Sequence, residues 1–155
     1  MKNKEKGLDH FPALHLDKQF CFSLYSLSRR VIQSYTPLLK PLDLTYPQYL
    51  VLLVLWQKLE NDISTISVSQ LTTELKLDTG TVTPLLKRME NKNLLSRTRS
   101  KKDERIVVVE LSEKGLSLRE EAKKIPQSLL CQSTVEPQKV MALREQLQQM
   151  LALMN

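Results

Sequence analysis

Residues 78–90 read DTGTVTPLLKRME, and this stretch decides how the rest of the chain is interpreted. Asp78 is a residue type that caps the N-terminus of a helix, and Pro84 is expected in the first turn, where a missing N–H costs little. Apolar residues recur at helical spacing on one side, at Val82, Leu85, Leu86 and Met89. The stretch therefore predicts a short amphipathic helix.

A second short helix is predicted just before this one. Residues 67–70 read SVSQ, which is a capping box, and Leu71 and Leu75 continue the helical spacing. The two helices would form a helix-turn-helix.

After residue 90 the period of the sequence changes. Residues 95–99 alternate, residues 105–111 (RIVVVEL) are rich in β-branched side chains, and the charged turn 100–104 lies between them. Two such arms around a polar turn predict a β-hairpin. Helix, turn, helix and hairpin in this order indicate a winged helix-turn-helix, so we predict a mainly α fold with a small β-hairpin wing.

Cations on these elements indicate that double-stranded DNA is the partner. Small hydroxyl side chains at the start of a helix let the backbone approach base edges and phosphates, and a cationic hairpin tip can place an Arg in the minor groove. The candidate DNA contacts are Thr79, Thr81, Thr83, Lys87 and Arg88 on the helix and Arg97, Arg99, Lys101, Lys102 and Arg105 in the hairpin. The alternative is that these charges only solvate a helix and a turn. We favour DNA because the cations fall on the two elements that a winged helix presents to it.

Helices are also predicted before the winged helix. Apolar residues over 16–38 recur at three- and four-residue steps and predict a long helix, interrupted or kinked near Pro37 and stopped by Pro41. Residues 45–47 (TYP) restart a helix with Pro in its first turn. Residues 49–59 are apolar nearly all round, as in a central buried helix.

The remaining segments are a loop and two further helices. Residues 60–65 are polar and predict a loop, and Ser112 caps a helix expected to reach about Ile125, where Pro126 interrupts it. The last helix carries a near-heptad apolar stripe at Val140, Leu143, Leu147, Leu151 and Met154. One chain cannot bury this stripe, so we expect a helical two-fold homodimer and hence an inverted-repeat operator.

Composition narrows the class of protein. The 155 residues carry a formal net charge of +6, which suits one domain with a polyanionic partner. The sequence has no apolar run of membrane-spanning length, no Gly-rich phosphate loop and no ligand-spaced histidines, so we expect a cytoplasmic protein with no membrane partner, cofactor or metal. We expect one compact domain made of a flexible N-terminal arm (1–15), N-terminal helices (16–60), a winged helix-turn-helix (61–112) and C-terminal dimerisation helices (113–155).

Longer strings resemble a known family. Leu42-x-Leu44-Thr45-x-x-Gln48, Asp78-x-Gly80-Thr81-Val82-Thr83-x-Leu85 and Asp103-Glu104-Arg105 resemble the MarR family of dimeric repressors, and the similarity extends over residues 16–154. Within that family the sequence is most similar to the OhrR-type organic hydroperoxide sensors. The strings that carry this closer match are FCFSLY (20–25), YTPLL (35–39), TYPQYL (45–50) and the 78–90 stretch. The 60–65 loop is longer than the family pattern.

The resemblance implies a peroxide-reactive thiolate at Cys21, hydrogen-bonded by Tyr35 and Tyr46 of the partner subunit, and an Asp103 that orients Arg105 for the minor groove. The residues themselves are compatible with this chemistry. Tyr25 lies one helical turn after Cys21, and phenolic hydroxyls can donate to a thiolate. A thiolate that attacks a peroxide oxygen becomes a sulfenic acid.

A second cysteine suggests how the oxidised state is resolved. Two-cysteine members of this subgroup use a resolving cysteine near the start of the C-terminal dimerisation region, and Cys131 fits that place. The resemblance therefore implies a repressor that binds its operator when reduced. It would release the operator when organic hydroperoxide oxidises Cys21, through an intersubunit Cys21–Cys131 disulfide.

Three alternatives stay open at this point. Cys21 could be a small buried hydrophobe among ordinary core aromatics, and Cys131 an idle thiol. A MarR-type repressor could respond to a small aromatic ligand without thiol chemistry. A thiol peroxidase is a different class, but the sequence lacks the βαβ alternation and Cys-x-x-Cys typical of such enzymes, so we expect no enzyme.

Overall fold

The structure, a computed structural model, describes residues 11–132 and 134–154. The described helices are α1 (Phe20–Leu39), α2 (Tyr46–Glu60), α3 (Val68–Leu75), α4 (Thr79–Asn91), α5 (Glu113–Ala122), α6 (Ile125–Gln132) and α7 (Pro137–Leu153). The strands are β1 (Thr65–Ser67), β2 (Leu95–Arg99) and β3 (Val107–Leu111). The chain divides into two compact units, residues 1–34 and residues 35–155. Across the described ranges, no helix is both long and apolar enough to cross a membrane.

The first unit contains the start of α1. Two short 3-10 turns, Pro12–Leu14 and Leu16–Lys18, precede the helix. The prediction that this helix starts near residue 16 is therefore wrong by about one turn, because Gln19 has an extended backbone that ends the second 3-10 turn. Residues 1–10 of the predicted flexible arm lie outside the described residues.

The second unit is built around α2. Val51, Leu52, Leu55 and Trp56 are buried on one side of this helix. Leu53 and Leu59 are exposed, so the prediction of a helix buried nearly all round is wrong within one chain. The helix starts with a bond from the main-chain N–H of Thr45 to the side-chain oxygen of Gln48, at 3.0 Å. Because the indole N–H of Trp56 donates to the carbonyl of Gly115 at 3.0 Å, α2 is also joined to α5.

The helix-turn-helix and the wing are confirmed. Ser67 caps α3, Asp78 caps α4, and α4 buries its four predicted apolar residues. The antiparallel sheet has the order β1–β3–β2, with Ile66 and Arg97 opposite Val109 on either side. Strand β1 was not predicted, since three residues next to a polar loop give too short an alternation to recognise.

Prolines account for three local differences from prediction. α1 continues through Pro37 to Leu39, and Pro41 lies in a following 3-10 turn, Lys40–Leu42. Pro84 lies in the second turn of α4, and not in the first. α5 ends at Ala122, earlier than predicted, and Pro126 stands in the first turn of α6, where its missing N–H is tolerated.

Candidate nucleic-acid interface and thiol sites

The N-terminal end of α4 is tightly organised around its cap. Asp78 accepts a bond from the main-chain N–H of Thr81 at 2.8 Å and another from its hydroxyl at 2.7 Å. These two bonds hold the pKa of the Asp78 carboxyl below its usual range, so the cap stays charged at neutral pH. The Thr81 hydroxyl therefore serves the cap in this structure, whether or not it also reaches DNA.

The outer side of α4 carries the other predicted contacts. Thr79, Thr83 and Lys87 follow one another at four-residue steps, so they share one exposed face of the helix. Arg88 is also exposed but lies on a different side of α4 from these three. Since the opposite face is buried, these polar and cationic side chains lie on the outward side of the helix, together with Thr81 and Pro84.

A cleft of about 360 Å³ lies between α4, the start of α3 and the wing. It brings together four of the predicted contacts, Thr79, Thr83, Arg97 and Arg105. Ser67 and Ser69 at the start of α3 also line it, and the sequence predicts only a capping box for this segment. The capping box could have indicated that this segment lines the cleft, because a capping box marks the first turn of a helix, where N–H groups can bind an anion.

The wing tip is held in shape by bonds across its turn. The Ser100 amide donates to the carbonyl of Ile106 at 2.8 Å, and Arg99 donates from its guanidinium to the carbonyl of Glu104 at 2.8 Å. The Asp103 carboxylate accepts from the main-chain N–H of Arg105 at 3.0 Å. Asp103 thus orders the backbone at Arg105, whose side chain is exposed. Lys101 and Lys102 are exposed at the tip.

Arg97 differs from the other wing cations because its guanidinium is already paired. Its Nε and Nη2 donate to one oxygen of Glu90 at 3.0 and 2.7 Å, and its main-chain N–H donates to the other at 3.0 Å. Hydrogen bonds from the Arg97 side chain lower the pKa of the Glu90 carboxyl. The pair links α4 to β2.

Cys21 is the second residue of α1 and is exposed within the first unit. Tyr25 lies one turn later, and its hydroxyl accepts a bond from Arg29 at 3.0 Å while the guanidinium also lies 5.6 Å from the ring centre. Cys131 lies on α6 in the second unit and is also exposed. Neither thiol is therefore a buried hydrophobe within one chain.

Tyr35 and Tyr46 meet in the second unit, with ring centres 4.9 Å apart. Tyr49, which the sequence marked only as core, lies 5.9 Å from Tyr35 and completes a three-ring cluster. Burial raises the pKa of all three hydroxyls, and the neighbouring Tyr46 adds to the effect at Tyr35. These phenols stay protonated at neutral pH and can act as hydrogen-bond donors.

A helix-turn-helix, a cationic wing and an open cleft between them define a winged-helix DNA-binding protein. Residues 33–125 match the family model described as Transcriptional regulator SarA/Rot. The chain is 45% identical over 126 residues to the organic hydroperoxide resistance transcriptional regulator of Bacillus subtilis, covering 81% of this chain and 80% of that protein. It is 47% identical over 108 residues to the HTH-type transcriptional regulator MgrA of Staphylococcus aureus, covering 69% and 70%.

A solved relative adds three functional states. Reduced AbfR bound to DNA has a TM-score of 0.75 to this chain at 33% identity, covering 90% of this chain and 94% of that one. AbfR, a Staphylococcus epidermidis protein, is also solved overoxidized and bound to DNA (TM-score 0.72, 32% identity, 90% and 95% covered) and with a disulfide formed (TM-score 0.64, 33% identity, 90% and 91% covered). This chain belongs to the SarA/Rot family of transcriptional regulators, within the MarR-type winged-helix class. Its relatives are regulators of transcription, which are not enzymes.

Proposed function

We propose that this protein is a transcriptional repressor that binds an inverted-repeat operator when reduced and releases it when an organic hydroperoxide oxidises Cys21. The observation that carries the proposal is the exposure of two thiols, Cys21 and Cys131, in a chain of this family. The Bacillus subtilis relative is named for organic hydroperoxide resistance, and AbfR is solved both in a reduced and in a disulfide form.

The proposed repressor acts as a two-fold dimer. Side chains of the predicted stripe are exposed within one chain, including Val140, Leu143 and Leu151 of α7 and Met154 at its C-cap. A second copy would cover this apolar surface and place two α4 helices about one turn of DNA apart. Each α4 would contact a half-site in the major groove through Thr79, Thr83, Lys87 and Arg88, while Arg105 enters the minor groove.

The proposed chemistry uses two thiols in sequence. The Cys21 thiolate attacks the terminal peroxide oxygen and the O–O bond breaks, which leaves a sulfenic acid on the sulfur. The departing alkoxide takes a proton from solvent and becomes the alcohol. The Cys131 thiol of the other subunit then displaces hydroxide from that sulfur, which yields a disulfide and water. Tyr35 and Tyr46 would donate hydrogen bonds to the thiolate before oxidation, a role for which protonated phenols are suited.

The disulfide, and not oxidation as such, is proposed to release DNA. AbfR in its overoxidized form is still bound to DNA, which indicates that extra oxygen on a sulfur need not disturb a reading surface of this type. A disulfide requires the two Cα atoms to come within about 7 Å, so it can pull on the helices that carry the cysteines. Two half-site contacts tolerate little change in spacing, and the dimer would leave its operator.

A non-reducing gel after treatment with cumene hydroperoxide tests this chemistry. The parent protein should run as a covalent dimer that reductant returns to the monomer band, and Cys21→Ser and Cys131→Ser should both stay monomeric. Mass spectrometry should detect added oxygen on Cys21 in the Cys131→Ser variant only. An oxidised parent that leaves DNA without any covalent dimer would contradict the role of Cys131.

A second candidate effector is a small aromatic acid. A cleft of about 540 Å³ in the second unit has apolar walls at Tyr49, Leu53 and Trp56. Arg119 and Lys123 also line it, and an acid would have to compete with the carboxylates of Glu60 and Glu120 that pair with these two cations. Benzoate can serve as the probe. If benzoate releases DNA from Cys21→Ser as well as from the parent, the ligand-responsive function is favoured over thiol chemistry.

A further inference from the structure

One carboxylate contacts the wing from within the cationic recognition helix. Glu90 lies in the last turn of α4, and both of its oxygens are used by Arg97 of β2. One oxygen accepts from the Arg97 main chain, and the other accepts two bonds from the guanidinium, at 3.0 and 2.7 Å. We call this arrangement the Glu90–Arg97 clamp.

The main-chain bond of the clamp matters because β2 is an edge strand. The order β1–β3–β2 leaves one side of β2 without a strand partner, and N–H groups on such an edge need another acceptor. Glu90 supplies that acceptor at Arg97, the middle residue of the strand. The recognition helix is therefore bonded directly to the base of the wing, in addition to the connection 92–94.

Charge alone would make Glu90 unfavourable for DNA binding. Its partner Arg97 lines the cleft beside Thr79 and Thr83, and a carboxylate near DNA phosphates is repelled. A glutamate carboxyl is ionised at neutral pH, and the hydrogen bonds from Arg97 lower the pKa of Glu90 further. A purely electrostatic account thus predicts tighter DNA binding when Glu90 is neutralised.

We propose that Glu90 and Arg97 are positioning residues that fix the wing relative to the recognition helix, so that this carboxylate strengthens DNA binding. The inference rests on the proposed use of α4 and the wing as two simultaneous DNA contacts. An α4 in the major groove and an Arg105 in the minor groove both bind well only if their separation matches the duplex. The clamp sets that separation, and Arg97 acts through the wing and not as a phosphate contact.

The first test neutralises Glu90 without changing its shape. The probe is a duplex selected from a randomised pool by the unsubstituted protein, and affinity is measured by fluorescence anisotropy. Glu90→Gln should weaken binding roughly tenfold, within the range for losing one well-placed groove contact. The control Glu104→Gln removes the same charge from the wing tip and should bind equally well or slightly more tightly. Glu90→Gln that binds as tightly as the parent, or more tightly, overturns the inference.

Two further readouts separate positioning from contact. Arg97→Ala should weaken binding by a similar factor while the slope of log affinity against log salt stays within about 0.3 of the parent, whereas a lost phosphate contact lowers it by about 0.9. Arg105→Ala should reduce DNA affinity by a smaller factor in the Glu90→Gln variant than in the parent, because the wing of that variant is already misplaced relative to α4. The inference is overturned if the losses of binding free energy from Glu90→Gln and Arg105→Ala are additive. It is also overturned if Arg97→Ala lowers the salt slope by about 0.9.

The variants also distinguish this inference from the proposed function. A parent protein that selects no duplex overturns both, while a parent that binds DNA as tightly as its Glu90→Gln variant overturns the clamp alone. Urea unfolding of each variant checks that it folds. If Arg97→Ala does not fold, Arg97→Lys replaces it in this test. Lys keeps the positive charge and the main-chain bond to Glu90 but loses one of the two side-chain bonds, so its DNA affinity should lie between those of the parent and Glu90→Gln.

Discussion

The winged helix-turn-helix, residues 65–111, which we call the reading head, differs from the last helix, α7, in the burial of its apolar side chains. In the reading head, Leu71, Val82, Leu86 and Val109 are fully buried against one another and α2. α7, which is described in full, buries none of its side chains within one chain. The first region is buried within its own chain, and we propose that a second copy covers the second. A signal that acts on the second region can therefore change DNA binding without unfolding the first.

The largest effect is expected from breaking the region that needs a partner. The double substitution Leu143→Lys with Leu151→Lys places two charges in the apolar stripe, so the dimer should dissociate. Binding to an inverted-repeat duplex should be lost, because a monomer can hold only one half-site. Sedimentation equilibrium and anisotropy measure the two effects.

The matched control is Gln149→Lys, which adds a charge on the opposite side of α7. It should leave the protein dimeric and bound. A double variant that remains dimeric at micromolar concentration would show that α7 does not form the interface.

The two regions also differ in how far their sequences predict them. The caps at Ser67 and Asp78 and the alternation of β2 are local signals, so α3, α4 and β2 were predicted to within about two residues. Strand β1 was missed because its pairing with β3 lies more than forty residues away in sequence. The stripe of α7 predicts that a partner is needed, but a single sequence does not encode which surface covers it.

The sensor residues show the same limit. The resemblance implied that Tyr35 and Tyr46 donate to Cys21 of the partner subunit, and this stays a prediction. The structure shows that the two rings lie beside each other in the second unit. The place of Tyr49 in the cluster was not predicted, because its position in the sequence does not distinguish it from the other apolar residues of α2. The clamp between Glu90 and Arg97 was missed because seven residues span the end of a helix and the start of a strand, where no periodicity relates two side chains.

The next largest effect tests the packing of the reading head against α5. A Cβ at Gly115 would overlap the carbonyl oxygen of Leu94, which is main chain and cannot move aside. Gly115→Ala should therefore lower the free energy of unfolding by about 3 kcal/mol, at the upper end for overpacking. Urea denaturation at equilibrium measures the loss.

Gly80→Ala is the matched control at the start of α4. Its Cβ would meet the side-chain oxygen of Asp78 that caps α4, at 2.9 Å. Disturbing this cap offsets the roughly 1 kcal/mol by which Ala favours a helix over Gly. The free energy of unfolding should change by less than about 1 kcal/mol. Equal losses at both glycines would contradict the tight approach of α5 to Leu94.

A smaller effect separates the two kinds of wing contact. Arg105→Ala should cost about 1–3 kcal/mol of operator binding through loss of the minor-groove contact, mostly on A·T-rich flanks. Lys101→Ala should weaken all duplexes alike and lower the salt slope by about 0.9. An Arg105→Ala protein that binds like the parent would remove the wing from the interface.

The smallest effect concerns the cap of the recognition helix and its pH dependence. The folded pKa of Asp78 lies below its ordinary value of 3.8, so its charge stabilises the fold above that pH and the benefit is lost as pH falls through the lowered value. Asp78→Asn keeps an acceptor but does not titrate. The melting temperature of the parent should exceed that of Asp78→Asn at neutral pH, and the gap should narrow in acid. A gap that is constant with pH would contradict the charged cap.

The central proposal is that oxidation of Cys21 on α1, followed by a disulfide to Cys131 on α6 of the other subunit, releases DNA from a reading head that stays folded. The most direct measurement is anisotropy of a labelled operator bound to the reduced dimer while cumene hydroperoxide is added. The parent should release the duplex at about one equivalent of peroxide per subunit, dithiothreitol should restore binding, and Cys21→Ser should stay bound throughout. Release from Cys21→Ser at the same peroxide concentration, or a fully oxidised parent that remains on the duplex, would contradict the account.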